Sequence, residues 1–295
     1  LRLALFLGCT IPTEQYAFEI SVRETLPKLG VKLVDMNGAS CCGCPLRSVN
    51  ETAWLYLSAR NLALAEEMKL DVLPLCNLCE LSFQEVRKLL ASRPDLKERI
   101  NSLLEKEGLH YRGDSQVKSL IGVLYDDVGL ERITQSVKRP LNGIKIAAHY
   151  GCHTLMPSEY ERPDDPWNPH KLEDLIRAVG AETEDYREKL ACCGALLVAS
   201  AEDALAHVAW SKLKAVGDRG FDAMALVCPF CHKMFDARQE AFNVAVGREH
   251  VTLPVFYYVQ LLGWAMGISE KGVGLNLNMS PTTTLLRKVR RRRGG

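Results

Sequence analysis

Apolar and polar positions alternate along the chain in two rhythms that repeat. A short apolar run over 1–7 ends in Gly8-Cys9, and another over 144–148 leads to Cys152. Each reads as a buried strand whose end delivers a cysteine into a loop. After Cys9, a helix is predicted over 14–26, stopped by Pro27 and Gly30, with a second strand over 31–34. In the later half a Pro-rich loop over 164–169 comes first. Leu172, Leu175, Ile176 and Val179 then mark the apolar face of a helix closed by Gly180. Long helices follow over 51–69 and 201–216, the second opened by Ser200-x-x-Asp203 in the manner of a capping box. Strands over 72–75 and 223–227 come next, then helices over 81–90 and 232–242.

Strand, loop, helix, strand, helix, strand, helix in each half predicts an α/β fold of two pseudo-symmetric domains with parallel sheets. The divisions expected are 1–90 and 143–250 for the domains, 91–142 for a helical connector with charged runs over 96–107 and 116–128, and 251–295 for a C-terminal helix and basic tail. The stretch 255–267 is apolar nearly all round. It is expected to be a helix, either buried between the halves or docked on a partner.

Cysteines fall at the ends of the predicted strands, where open α/β sheets place their ligands. Cys9, Cys41, Cys42, Cys76 and Cys79 form one set; Cys152, Cys192, Cys193, Cys228 and Cys231 form another. Between the single cysteine and the vicinal pair lie 31 residues in the first set and 39 in the second, and between the pair and the Cys-x-x-Cys lie 33 and 34. The neighbours repeat as well. Gly8 and Gly151 precede the single cysteine, Gly43 and Gly194 follow the pair, and Phe83 and Phe235 stand four residues past the last cysteine. Each copy is therefore a structural unit with five convergent thiols.

A Cys-x-x-Cys by itself serves zinc sites, dithiol redox centres and plain cores alike. Five thiols per copy exceed the four ligands of a zinc site or an ordinary cubane cluster, which favours iron-sulfur binding, with twin zinc sites as the alternative. The helices predicted to begin beyond Cys79 and Cys231 point their N-terminal amides at those thiols, which favours the thiolate. Cys44 has no cysteine counterpart in the second copy and is expected to be a buried structural thiol. His153, beside Cys152, is a candidate proton donor or a loop histidine satisfying backbone. His149 closes the preceding strand, and His232 would lie in a first helical turn. Arg47, Lys233 and Arg238 are candidate anion contacts by sequence proximity.

Composition narrows the setting. At 295 residues and 47% hydrophobic content, the chain can bury two cores. The last nine residues carry six basic side chains and no acid, against a formal net charge of +1, so the body is mildly acidic and not a nucleic-acid surface. The tail is expected to be a solvated, frayed end. The apolar run at the start leads straight into Gly8-Cys9 without a cleavage pattern, and 255–268 is too short to span a membrane. Eleven cysteines without an export signal point to a reducing, cytoplasmic compartment.

The motifs Leu7-Gly8-Cys9-Thr10, Cys41-Cys42-Gly43-Cys44-Pro45, Tyr150-Gly151-Cys152-His153, Cys192-Cys193-Gly194 and Cys228-Pro229-Phe230-Cys231 resemble those of the cysteine-rich CCG domain family, and within it the B subunit of heterodisulfide reductase. The resemblance runs from residue 1 to the apolar stretch near 268, including Asp164-Asp165-Pro166 and Leu253-Pro254-Val255. It implies two noncubane [4Fe-4S] clusters, one on each five-cysteine set, with one thiolate bridging two irons. It also implies that a disulfide, that of coenzyme M and coenzyme B in methanogenesis, is split between them, with Cys9, Cys152 and His153 nearest the chemistry. The partners it implies are the heterodisulfide reductase C subunit with cubane iron-sulfur clusters and the flavin-containing A subunit, fed by a hydrogenase or formate dehydrogenase. Relatives such as the iron-sulfur subunits of glycolate oxidase, glycerol-phosphate dehydrogenase and some succinate and fumarate reductases share the domain. They imply the alternative of a non-catalytic electron-transfer subunit.

Overall fold

Two three-stranded parallel sheets carry the molecule. In the computed structural model the backbone is described over residues 1–293 and the side chains over 1–290. The first sheet has the order β2-β1-β3, with β1 Arg2–Phe6, β2 Lys32–Asp35 and β3 Asp71–Pro74; the second has β4-β5-β6, with β4 Ile146–His149, β5 Ala223–Leu226 and β6 Val255–Tyr257. Leu3 pairs with Leu33 on one side and Asp71 on the other, and Met224 pairs with Ala147 and with Val255. The second-sheet strands are buried on both faces and correspondingly apolar throughout, as helix-covered parallel sheets require.

Each sheet lacks, as a full strand, an edge that the other possesses. Val117 forms a single parallel bridge to Val72 on β3, at the place where β6 pairs with β5. Glu182 likewise bridges Lys145 beside β4, where β2 pairs with β1. Two residues beyond Val117 and Val255, Ser119 and Tyr257 stand at the N-terminal caps of matching helices, the first running on as a π-helical segment Val123–Val128 and the second being Tyr258–Ala265. Part of the expected connector thus completes the first repeat. The run over 116–128 is not one helix: Gln116 to Lys118 are drawn against β3 by backbone bonds to Val72 before the chain turns helical.

The stretch 255–267 departs from expectation in the same way. Val255–Tyr257 is the third strand of the second sheet, so that sheet continues beyond residue 250, and only Tyr258–Ala265 is helical. The helix is buried along its whole length and lies against Tyr16–Thr25, where Thr25 Oγ1 meets the Val259 carbonyl at 3.4 Å. It is a core element between the halves and not a docking surface.

Two smaller readings are corrected. Helix Glu202–Asp218 begins after Ala201 with no side-chain cap, whereas Glu51–Glu67 is capped by Asn50, whose Oδ1 accepts from the Ala53 amide at 3.0 Å. The basic tail is not frayed over its described part: Thr282–Arg293 is helical, with Leu285, Leu286 and Val289 buried. There Lys288 pairs with Asp222 and Arg290 with Glu270. The side chains of 291–293, and Gly294-Gly295, lie outside the described residues. Among the described residues no helix is long and apolar enough to cross a membrane.

Candidate thiol-rich redox site

All eleven cysteines are free. In the first repeat, Cys9 follows β1 through Gly8, whose φ of +67° disfavours any side chain. A Cβ placed on Gly8 would stand 3.1 Å from Cys79 Sγ, so the glycine lets the backbone pass close to that sulfur. Gly151 repeats the device, with φ +78° and a would-be Cβ 3.3 Å from Cys231 Sγ. Cys76 and Cys228 immediately precede helices Asn77–Ser92 and Pro229–Ala237, and Cys79 and Cys231 lie in their first turns. Both sulfurs therefore sit in the positive end of a helix dipole.

The vicinal pairs are held by the long helix behind them. Ser58 Oγ donates to the Cys42 carbonyl at 2.5 Å and meets Ser82 Oγ at 3.1 Å, while Trp54 Nε1 donates to Ser82 Oγ at 2.8 Å. Asn61, fully buried, accepts from the Ser40 amide at 2.9 Å and donates to the Cys41 carbonyl at 3.1 Å. The amide of Gly43 donates to Cys41 Sγ at 3.4 Å, and that of Gly194 to Cys192 Sγ at 3.3 Å. Such backbone donors serve an anionic sulfur best.

Charge within each set is unevenly shared. Hydrogen bonding to Cys41, then to Cys79, holds the Cys42 thiol well below its ordinary range, and Cys41 is pushed up in return. In the second set two thiols are held low, Cys192 through Cys152 and then Cys193, and Cys228 through Cys231, with Cys152 pushed up; Cys192 and Cys152 Sγ stand 3.9 Å apart. Cys44 is half-buried, not buried as expected, and burial pushes its thiol up to about 12. Among the described residues no three His, Cys, Asp or Glu side chains close into a one-ion shell, so the sets are open constellations. Ten soft donors, four of them at the starts of helices Asn77–Ser92 and Pro229–Ala237, with close glycine backbone at Cys79 and Cys231 and amide donors at Cys41 and Cys192, suit iron-sulfur groups.

The second set borders the first repeat. A cavity lined by Cys152, Cys192, Cys193, Cys228 and Cys231 also has in its wall Leu78, from between the first-repeat cysteines Cys76 and Cys79. Phe230, at the equivalent position between Cys228 and Cys231, packs against both cores. Asn77 Nδ2 donates to Thr154 Oγ1 across the same boundary. Tyr257, which sequence reasoning did not single out, is stacked between Phe18 at 4.0 Å and His232 at 4.1 Å, and its hydroxyl donates to Gln15 Oε1 at 2.6 Å.

The other candidates separate clearly. His153 lines the cavity, half-buried, and burial lowers its pKa; its carbonyl accepts from Arg162 Nη1 at 3.0 Å, a residue not anticipated. His149 is buried at the end of β4, edge-on to Phe235 at 5.0 Å, as Phe6 is to Phe83 at 4.8 Å. Both of its ring nitrogens lack a partner, and burial drives its pKa far down. Lys233 and Arg238 are engaged in ion pairs with Glu14 and Glu202, and Arg47 with Glu85 at 2.7 Å.

Paired α/β repeats, each presenting five free thiols from strand and helix ends and meeting at their Cys-x-x-Cys segments, define a class of tandem cysteine-rich redox domain. The sequence matches the cysteine-rich CCG domain over 3–84 and 146–236, and the chain belongs to that family, on the branch of the heterodisulfide reductase B subunits. It is 35% identical over 293 residues to the B subunit of the ferredoxin:CoB-CoM heterodisulfide reductase of Methanosarcina mazei, covering 98% of this chain and 97% of that one. It is also 35% identical over 284 residues to the 8-methylmenaquinol:fumarate reductase membrane anchor subunit of Wolinella succinogenes, covering 96% and 98%. Its fold resembles the crystal structure of a hypothetical protein from Helicobacter pylori, with TM-score 0.76 at 17% identity, over 95% of this chain. This chain spans 52% of that protein's length, and the likeness concerns the fold alone. The relatives mark the chain as an iron-sulfur oxidoreductase subunit of a larger complex.

Proposed function

We propose that this chain is the catalytic iron-sulfur subunit of a heterodisulfide reductase complex. In this reading Cys9, Cys41, Cys42, Cys76 and Cys79 hold one noncubane [4Fe-4S] cluster, and Cys152, Cys192, Cys193, Cys228 and Cys231 hold the other. When bound, such groups supply one-electron redox chemistry and iron atoms with affinity for sulfur. The observation that carries the reading is the presence of two complete five-thiol sets at equivalent places of two repeats, with Leu78 of the first in the wall of the second set's cavity and Phe230 packed against both cores. Reduction of a disulfide consumes two electrons and two protons and yields two thiols. The most specific substrate is the coenzyme M–coenzyme B heterodisulfide, which the Methanosarcina mazei relative's name carries.

The chain's own contribution is positional. Leu78 and Phe230 supply apolar wall between the repeats, and the glycines before Cys9 and Cys152 fix how closely backbone approaches Cys79 and Cys231. His153, at the cavity wall with its carbonyl pinned by Arg162, is placed to give a proton to a departing thiolate. Electrons come from the C subunit with its cubane clusters, supplied through the flavin-containing A subunit and a hydrogenase or formate dehydrogenase, in a cytoplasmic complex.

A second reading, in which the chain only relays electrons, is favoured by the near-full-length likeness to the fumarate reductase protein. Turnover of heterodisulfide with a reduced viologen dye, with both thiols counted, separates the two. Stoichiometric release of coenzyme M and coenzyme B supports catalysis. A fully loaded protein that is oxidised and reduced by dyes but leaves the heterodisulfide intact supports the relay.

A further inference from the structure

One equivalent position behind the vicinal cysteines carries an amide in the first repeat and an ammonium in the second. Helices Glu51–Glu67 and Glu202–Asp218 stand in the same relation to their pairs: Gly43 abuts Trp54, and Gly194 abuts Leu205. On that alignment Asn61 corresponds to Lys212. Asn61 is neutral and fully satisfied by the backbone around Cys41. Lys212 is 1% exposed, donates to the carbonyls of Glu188 and, at 2.9 Å, Lys189, and lies over the Tyr186 ring at 4.8 Å.

No carboxylate stands at ion-pair distance from Lys212 among the described residues. Glu188 pairs with Arg219 at 3.1 Å, and Glu173 with Lys189 at 2.7 Å. An ammonium buried against carbonyl dipoles alone is costly, and such a charge persists in proteins where an anion offsets it. Burial holds the pKa of Lys212 down to about 7, and the sulfurs of Cys231 and Cys193, once ionised as ligands, act in the opposite direction together with the Glu188 carboxylate. Both sulfurs belong to the second set.

We propose that Lys212 is the built-in counter-charge of the second thiol set and makes the second site the stronger electron acceptor of the two. This rests on the reading above that each set holds an iron-sulfur group. Reduction adds one electron and one negative charge without making or breaking a bond, the electron being supplied by the cubane-bearing donor or, in vitro, by dithionite. A positive charge on Lys212 favours that added electron and is favoured by it in turn, and the first repeat offers only an amide in its place.

The test is a dithionite redox titration of the anaerobically loaded full chain followed by electron paramagnetic resonance. Cys41→Ser and Cys193→Ser assign each signal to its set. The second-set signal is expected to appear at the higher potential. Lys212→Gln should lower it until the reduced-to-oxidised ratio at the wild-type midpoint falls roughly tenfold, a change of about 59 mV for one electron, while Lys212→Arg restores it. The first-set midpoint should not move. A higher-potential first set in the unmutated protein overturns the proposal whether or not the variants fold, as does a loaded Lys212→Gln protein with both midpoints unmoved. A wild-type chain that takes up no iron and sulfide defeats the two-cluster reading itself, a result distinct from reversed potentials.

Discussion

At three equivalent positions beside the thiols, the first repeat carries side chains that do not ionise and the second carries ionisable ones. Phe6, Thr10 and Asn61 in the first become His149, His153 and Lys212 in the second. The scaffold is otherwise shared, down to the glycine before the single cysteine and the phenylalanine packed beneath it. One backbone thus builds two five-thiol sets in different electrostatic surroundings. The sheets differ in a complementary way: each has reduced to a single bridge the edge strand that the other keeps.

The most severe way to break this pairing is to remove a thiol from either set. Cys41→Ser and Cys193→Ser should each abolish heterodisulfide turnover and erase one of two cluster spectra, whereas Cys44→Ser should retain both spectra and turnover. Equal loss in Cys44→Ser would mean that the first set has been assigned wrongly. The next effect belongs to the first repeat alone. Asn61→Ala strips buried hydrogen bonds from Ser40 and Cys41, and urea unfolding of the metal-free chain should show a loss of about 2 kcal/mol.

Replacing a second-repeat residue with its first-repeat counterpart should have a smaller effect of opposite sign. His149→Phe removes two unpartnered buried nitrogens, so the metal-free chain should gain about 1 kcal/mol. A loss instead would show that His149 has a partner when the site is loaded or in solution. Least of all, Lys288→Ala removes a partly exposed pair with Asp222 and should change stability by about 0.5 kcal/mol or less, as read by the same melt.

The strand-end cysteines were legible because their spacing is fixed by what they surround, and a repeated spacing survives differences in loop length. Strands β1 and β3 to β5 were legible as apolar runs stopped at cysteine. Strand β6 was not, because Val255 to Ala265 is apolar at every turn of either period and carries no phase to separate strand from helix. The first-sheet bridge at Val117 is too short to alternate at all. In the tail, Leu285, Leu286 and Val289 do fall on one helical face, but six basic side chains hide the stripe. Lys212 was missed for a different reason. A lysine in a long helix reads as solvent-facing until the two copies are laid side by side and Asn61 shows that the position points inward.

The central claim is that each repeat holds one four-iron group, and its most direct measurement is the iron, acid-labile sulfide and zinc content of the anaerobically purified chain. The account predicts about eight irons with a matching amount of sulfide, and about half of each after Cys41→Ser or Cys193→Ser. About one zinc per repeat with little iron or sulfide would contradict it.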